Sequence, residues 1–276
     1  LQISVKQSDK ENFDAFHLSN HFPHLVIRDF SATVDARNSD AINISHDCTT
    51  DAYVQIQGDL TAEVSQGNGI RANASRNGSE NQTFVSSIDV YGTTDITITG
   101  SNVRNSVSFL TITYDPAAIY AGNSLYYFNF IGWHGAESFG KGEISLHGDT
   151  ILTLKGDKNY GVLGGKNGSV TLNNLYIEAT GDKAIGVAAD NKNLTMGSFD
   201  QSTNRHGSFV FLNGDENVIH MLGDESKALF ANSEYAKISS GNNGIGSIDL
   251  IGDVEANDNG SIDLTIRNDA KVIGQI

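Results

Sequence analysis

The chain has 276 residues, 38% of them hydrophobic, enough for a sizeable core. Asp and Glu number 33 against 18 Lys and Arg, a formal charge of −15, which argues against nucleic-acid binding through phosphates and against attachment to anionic lipid without a bridging cation. The single cysteine, Cys48, leaves no intrachain disulfide, and no apolar run reaches the ~18 residues of a membrane span, so direct membrane insertion is not expected.

The 29 glycines, the 2 prolines and a polar fraction carried by Ser, Thr, Asn and Asp are turn and strand chemistry. Leu1-Gln2-Ile3-Ser4-Val5 opens the chain on an alternating strand pattern, which reads as a fragment of something longer. His17, His21, Pro23 and His24 interrupt the pattern, which resumes as one run over Leu25 to Val34 and again at Ala41 to Ser45. From Ala52 to Ala74 a repeat is plain: alternating strand, Gly-Asp turn, alternating strand, Gly/Asn turn, small-residue strand. Ser87 to Gly100 restates its first two strands. Ala117 to Asn123 supplies the third, displaced by an insertion that contains Val107 to Tyr114. Glu143 to Val162 and Ser169 to Val187 are two consecutive copies of the same order of parts. Ser208 to Leu212, Asn217 to Met221 and Lys227 to Ala231 give another turn of the repeat; Gly246 to Leu250, Asp253 to Ala256 and Ser261 to Ile266 give the last.

Comparable third-strand positions fall at Ile70, Ile119, Val162, Val187 and Leu229. The steps between them are near one or two multiples of a unit in the low twenties, so some rungs are degenerate or carry loops. Each strand has one apolar face that a single rung cannot bury, and parallel stacking of rungs at about 4.8 Å joins those faces into one interior column. Three short strands and three turns need roughly 20 to 25 residues, the period observed. The expected fold is therefore all-β, a right-handed parallel β-helix, or solenoid, with inserted loops. Residues 41–276 form the helix, and residues 1–40 are an N-terminal cap or degenerate first rungs. A β-sandwich of short strands is the rival fold.

Gly-Asp-x-x-[Ile/Leu]-x-[Leu/Val] at 148–154, Gly-Asp-Lys-x-x-Gly-Val at 156–162 and Asn-Gly-Ser-[Val/Ile]-x-Leu at 167–172 and 259–264 resemble the passenger domains of bacterial monomeric (type V) autotransporter adhesins. Lys183-Ala184-Ile185-Gly186-Val187, followed by Lys192-Asn193-Leu194-Thr195-Met196, is similar to the same family. The resemblance spans residues 41–276. It implies a β-helix at the bacterial cell surface or secreted, exported through the outer membrane by a barrel that this chain lacks. It also implies attachment to host glycan or host surface protein, or self-association between cells.

The alternative function is a β-helical polysaccharide hydrolase or lyase, which would need two or three close carboxylates on one face. The pectin-hydrolysing family carries Asp-Asp, Gly-His-Gly and Arg-x-Lys motifs that this sequence lacks. It also lacks the Gly-x-Ser-x-Gly, His-Glu-x-x-His and phosphate-cradling glycine motifs, so no catalytic residue is assigned. A stalk without a ligand is a further alternative. His17, His21 and His24 have the spacing of one helical face that could hold zinc, but Pro23 breaks such a helix, and a polar cap loop is the preferred reading. Asp149, Asp157, Asp182, Asp224 and Asp253 at the turns could bind calcium, yet stacked turn residues are the simpler account. Asp249 after Gly244-Ile245-Gly246 lacks the remainder of a calcium-binding repeat. No metal and no cofactor is assigned. The densest aromatic stretch runs from Leu125 to Gly135, where Tyr126, Phe128 and Phe130 alternate inward and Tyr127, Trp133 and His134 are the candidate ligand contacts.

Overall fold

Alternate residues of a strand point to opposite faces, and in this chain one of those faces is almost uniformly Ile, Val, Leu or Ala. The computed structural model describes residues 1–6, 14–19, 24–45, 48–73, 78–79, 82–101, 106–107, 110–111, 117–122, 140–190 and 207–276. Among them there is no helix, and strands wind in strict rotation through three sheets of eight, nine and eight strands. The first sheet contains His24–Ile27, Ala52–Ile56, Val85–Val90, Lys141–Leu146, Gly168–Leu172, Ser208–Leu212, Ala236–Ser240 and Ser261–Asp263. The second starts at Gln2–Val5 and Phe30–Val34 and ends at Ser247–Ile251 and Ala270–Ile273. The third runs from Phe16–Leu18 to Asp253–Asn257. Every pairing within the three sheets is parallel. The fold is a parallel β-helix, and parallel pairing throughout rules out the antiparallel β-sandwich.

The register is the one that apolar alternation demands. Ile70, Ile119, Val162, Val187 and Leu229 are direct partners on successive strands of the third sheet, all buried in the core. Each unequal step in sequence is thus a single rung, and the longer steps carry inserted segments rather than hidden rungs. Two of those insertions contain short antiparallel pairs, Gly78–Ser79 with Gln82–Thr83 and Ser106–Val107 with Leu110–Thr111. The strands within residues 1–40 join the same three sheets as the rest.

Three details differ from the periodicity reading. The apolar run from Leu25 to Val34 is two strands in different sheets, because the chain turns a corner at Arg28 and Asp29 without a glycine to announce it. Ala236–Ser240 and Ala270–Ile273 are additional strands. They shift the phase of the final turn, so that Ser261–Asp263 begins a new rung in the first sheet instead of closing the previous one.

Corners are held by side chains that reach one rung along. The Asp157 carboxylate accepts the Asp182 N–H at 3.0 Å, and Asp182 accepts the Asp224 N–H at 2.9 Å. At the corner between the first and second sheets, Asp59 accepts the Thr93 N–H at 2.8 Å and Asn174 accepts the Asp215 N–H at 2.8 Å. Asp149 accepts from the Asn174 amide, and Asp253 accepts the Gln275 N–H. Side-chain oxygens of corner Asp and Asn therefore cap backbone donors at the turns of the next rung, and Asp149 holds the Asn174 side chain that does so.

Three positions in one column, Thr94, Thr150 and Asn217, depart from this economy, and Asn217 does so with both of its polar atoms. Leu60, Thr94, Thr150, Leu175, Asn217 and Ile248 share an inward column of the second sheet. Asn217 is 1% exposed, and neither polar atom of its amide has a hydrogen-bond partner among the described residues. An idle buried amide costs about 1–3 kcal/mol. Asn217→Leu, which continues the Leu175 and Ile248 column, is expected to raise unfolding stability by about 1–2 kcal/mol in urea titration. A loss of stability would mean that the amide is satisfied after all.

Candidate functional site

The inward faces are committed to the core, so chemistry toward a partner must come from the outward rows. On the first sheet those rows carry, at four successive rungs, Tyr53, Gln55 and Gln57; Ser87, Asp89 and Tyr91; Glu143, Ser145 and His147; and Ser169, Thr171 and Asn173. The third residue of each set lies just past its strand. It stays in register because its N–H donates to the preceding rung: Tyr91 to the Ile56 carbonyl, His147 to that of Val90, and Asn173 to that of Leu146. Amides, hydroxyls and rings thus dominate this face, with Asp89 and Glu143 as the charges of these rows and Lys141 outward beside Glu143 at the start of its strand.

Register turns rings into a stack. Tyr91 and His147 lie with centroids 4.5 Å apart and planes at 14°, and Tyr91 is 47% exposed. Beside them the Tyr53 hydroxyl donates to the Asp89 carboxylate at 2.6 Å, and His24 leans on the Tyr53 ring at 4.9 Å. Burial, reinforced by the Asp89 carboxylate, pushes the Tyr53 phenol far above its ordinary pKa, so it remains a neutral donor. The patch offers ring surface, a fixed carboxylate and mixed donor–acceptor groups within three rungs.

A second polar constellation crosses the first rungs of the third sheet, where His17, Asn43 and Arg71 are register partners. The Asp14 carboxylate binds His17 Nδ1 at 2.8 Å, the Asn43 amide at 2.7 Å and the Asp40 N–H at 2.8 Å. Asp40, 1% exposed, accepts from the backbone and side chain of Asn68 and pairs with Arg71 Nε at 2.8 Å. Asn73 donates to Asn43 and to the Ile44 carbonyl. Burial, with Asp14 adding to it against the pull of Arg71 and Asn68, pushes the Asp40 carboxyl up to about 6. Burial likewise raises Asp14, but hydrogen bonds from His17, Asn43 and the Asp40 N–H outweigh it and hold the carboxyl below its usual range. The bond to Asp14 raises His17. Two carboxylates meet here, yet Asp40 is sealed behind Asn68 and Arg71, a geometry that ties rungs together rather than one that meets a substrate.

The candidate contacts Tyr127, Trp133 and His134 lie outside the described residues, as does the rest of the aromatic stretch at 125–135. His21 lies outside them too. His17 and His24 are on strands of different sheets, so they share no helical face. No group of three metal-ligating side chains occurs among the described residues. Asp249 is held low by Lys271, whose ammonium is 3.0 Å away, and Cys48 is buried in the core. Tyr53, Asp89, Tyr91 and His147 escaped the sequence reading, although a signal was present. Gln57-Gly58, Tyr91-Gly92 and His147-Gly148 are aligned in the repeat, so the residues before each glycine had to stack. No protein-family model, no curated protein and no solved structure matches this chain.

Proposed function

We propose that this chain is a non-enzymatic segment of a bacterial cell-surface adhesin of the autotransporter type, acting as a rigid β-helical body that meets host glycan, host surface protein or an identical molecule on another cell. The outer face of the first sheet carries this reading. It is a register-locked array of rings, amides and hydroxyls along successive rungs, suited to many modest contacts in parallel, so that avidity substitutes for a deep pocket. Export through the outer membrane and display at the cell surface belong to the same proposal.

The test is attachment. Beads coated with the chain are expected to bind epithelial cell monolayers, or one another, well above beads coated with an unrelated acidic protein. Absence of both would leave a spacer. Release of reducing ends from a defined polysaccharide, abolished by one carboxylate substitution, would replace the adhesin with an enzyme.

A further inference from the structure

We propose that the ligand of the first-sheet face is a neutral, linear glycan lying along the stacking axis and centred on Tyr53, Asp89, Tyr91 and His147. This inference rests on the adhesin reading and gives it a ligand class. The first argument is spacing. Rungs of a parallel sheet repeat at about 4.8 Å, close to the advance of one pyranose in an extended chain. A glycan laid across the rungs therefore meets an equivalent row of side chains with each successive sugar, whereas an extended peptide side-chain repeat falls out of step.

The second argument is chemistry. A pyranose has apolar C–H faces and a rim of hydroxyls that both donate and accept. The Tyr91–His147 pair, 4.5 Å between centroids, extends one aromatic strip over two rungs against which the C–H face can pack. Gln57 and Asn173, the outward neighbours on either side of that strip, carry amides that can donate and accept at once. Asp89, whose carboxylate is fixed by the Tyr53 hydroxyl at 2.6 Å, is a charge-assisted acceptor for sugar hydroxyls.

The third argument is charge. The chain carries −15 overall, and Asp89 stands in the row beside the strip, two residues before Tyr91, with Glu143 one rung further on. Sialylated, uronic or sulfated chains would place their anions against these carboxylates and be repelled. The face thus selects by what it excludes as well as by what it holds.

The experiment uses the whole chain with cello-oligosaccharides and mannan as neutral probes, and hyaluronan and polysialic acid as anionic ones, in affinity electrophoresis and bead competition. Retardation by a neutral probe is expected, strengthening with oligosaccharide length. The double variant Tyr91→Ala with His147→Ala should weaken it roughly tenfold with an unchanged thermal melt, since both side chains are exposed. Thr153→Ala, on the outer face of the second sheet, should leave it unchanged. Beads that still attach to cells, but whose attachment no neutral probe competes and the double variant does not alter, would overturn this inference and leave the adhesin reading standing. Retardation by the anionic probes alone would overturn it equally. Beads that attach to nothing would remove the adhesin reading, and the inference with it.

Discussion

A Gly181→Val chain is expected to lose at least about 3 kcal/mol of stability, the upper end of ordinary overpacking, because the atoms in the way are backbone. A Cβ at Gly181 would sit 2.1 Å from the Gly156 carbonyl oxygen and 2.3 Å from its carbon. Gly223 stands in the same relation to Gly181, at 2.0 Å from its oxygen. Gly156, Gly181 and Gly223 open three superposed corners, each followed by Asp and then by a residue at positive φ: Lys158 at 59°, Lys183 at 57° and Glu225 at 54°. The Asp157–Asp182–Asp224 chain of hydrogen bonds requires these corners to approach closely, and a side chain at the glycine separates them.

In a stack where each rung touches only its neighbours, the damage should be local first. Hydrogen exchange is expected to accelerate in Tyr160–Gly164 and Ile185–Asp190, with the first rungs protected as before. Lys183→Gly is the contrasting variant. It removes a side chain from a left-handed backbone and gives up one exposed pair with Glu225, so it should change stability by less than about 1 kcal/mol. Urea midpoints of the two variants test the claim. If Gly181→Val is as mild as Lys183→Gly, close corner packing is not what aligns the rungs.

The same two features explain how much of the fold is legible in the sequence. Inward apolar alternation is short-range and repeats, so Ile70, Ile119, Val162, Val187 and Leu229 announced both their strands and their mutual register. Gly-Asp-Lys corners announced themselves because close approach leaves few choices of residue. The corner at Arg28 and Asp29 has no such constraint and was invisible within an apolar run. Ala270–Ile273 is exposed along its whole length, so no buried alternation marks it as a strand. Ring stacking between Tyr91 and His147 depends on an inserted segment of unrelated length dividing two copies, and an outward residue carries no apolar signature. The Asp14–Asp40–Arg71 network was least legible, since its members come from three rungs and only the folded register brings them together.

That network supplies the second large effect. Arg71→Met is expected to cost about 3–5 kcal/mol near pH 8, the price of leaving one member of a buried ion pair uncompensated. Asp40 is sealed from solvent, Arg71 is its cation at 2.8 Å, and Asp14, the other carboxylate bonded into the network, adds repulsion. The pH dependence has a definite sign. Asp40 titrates at about 6 in the folded chain and near 3.8 when unfolded, so folding takes up a proton between those values and stability falls as pH rises through them. His17, raised by Asp14, contributes stability that is complete below its ordinary value of 6.5 and lost as pH rises through its folded pKa. Asp14, depressed, contributes above its ordinary 3.8 and loses that contribution only in stronger acid. The Asp40 contribution grows as pH falls toward 3.8 and the Asp14 contribution is lost below it, so together they place the optimum of the first rungs at about pH 4, with His17 constant there.

Arginine matters most where Asp40 is ionised. Around pH 5 the carboxyl is largely protonated already, and Arg71→Met should cost far less there than at pH 8, where the variant must bury a bare anion or bind a proton to avoid it. Adding Asp40→Asn to Arg71→Met keeps an oxygen acceptor for the Asn68 N–H while deleting the charge, and should recover most of the loss at pH 8. Guanidinium titrations at both pH values, with exchange protection followed in Phe16–Leu18 and Ile42–Ile44, measure this directly. Equal losses at the two pH values, or no recovery in the double variant, would show that Arg71 stabilises the stack by packing its side chain rather than by holding the Asp40 charge.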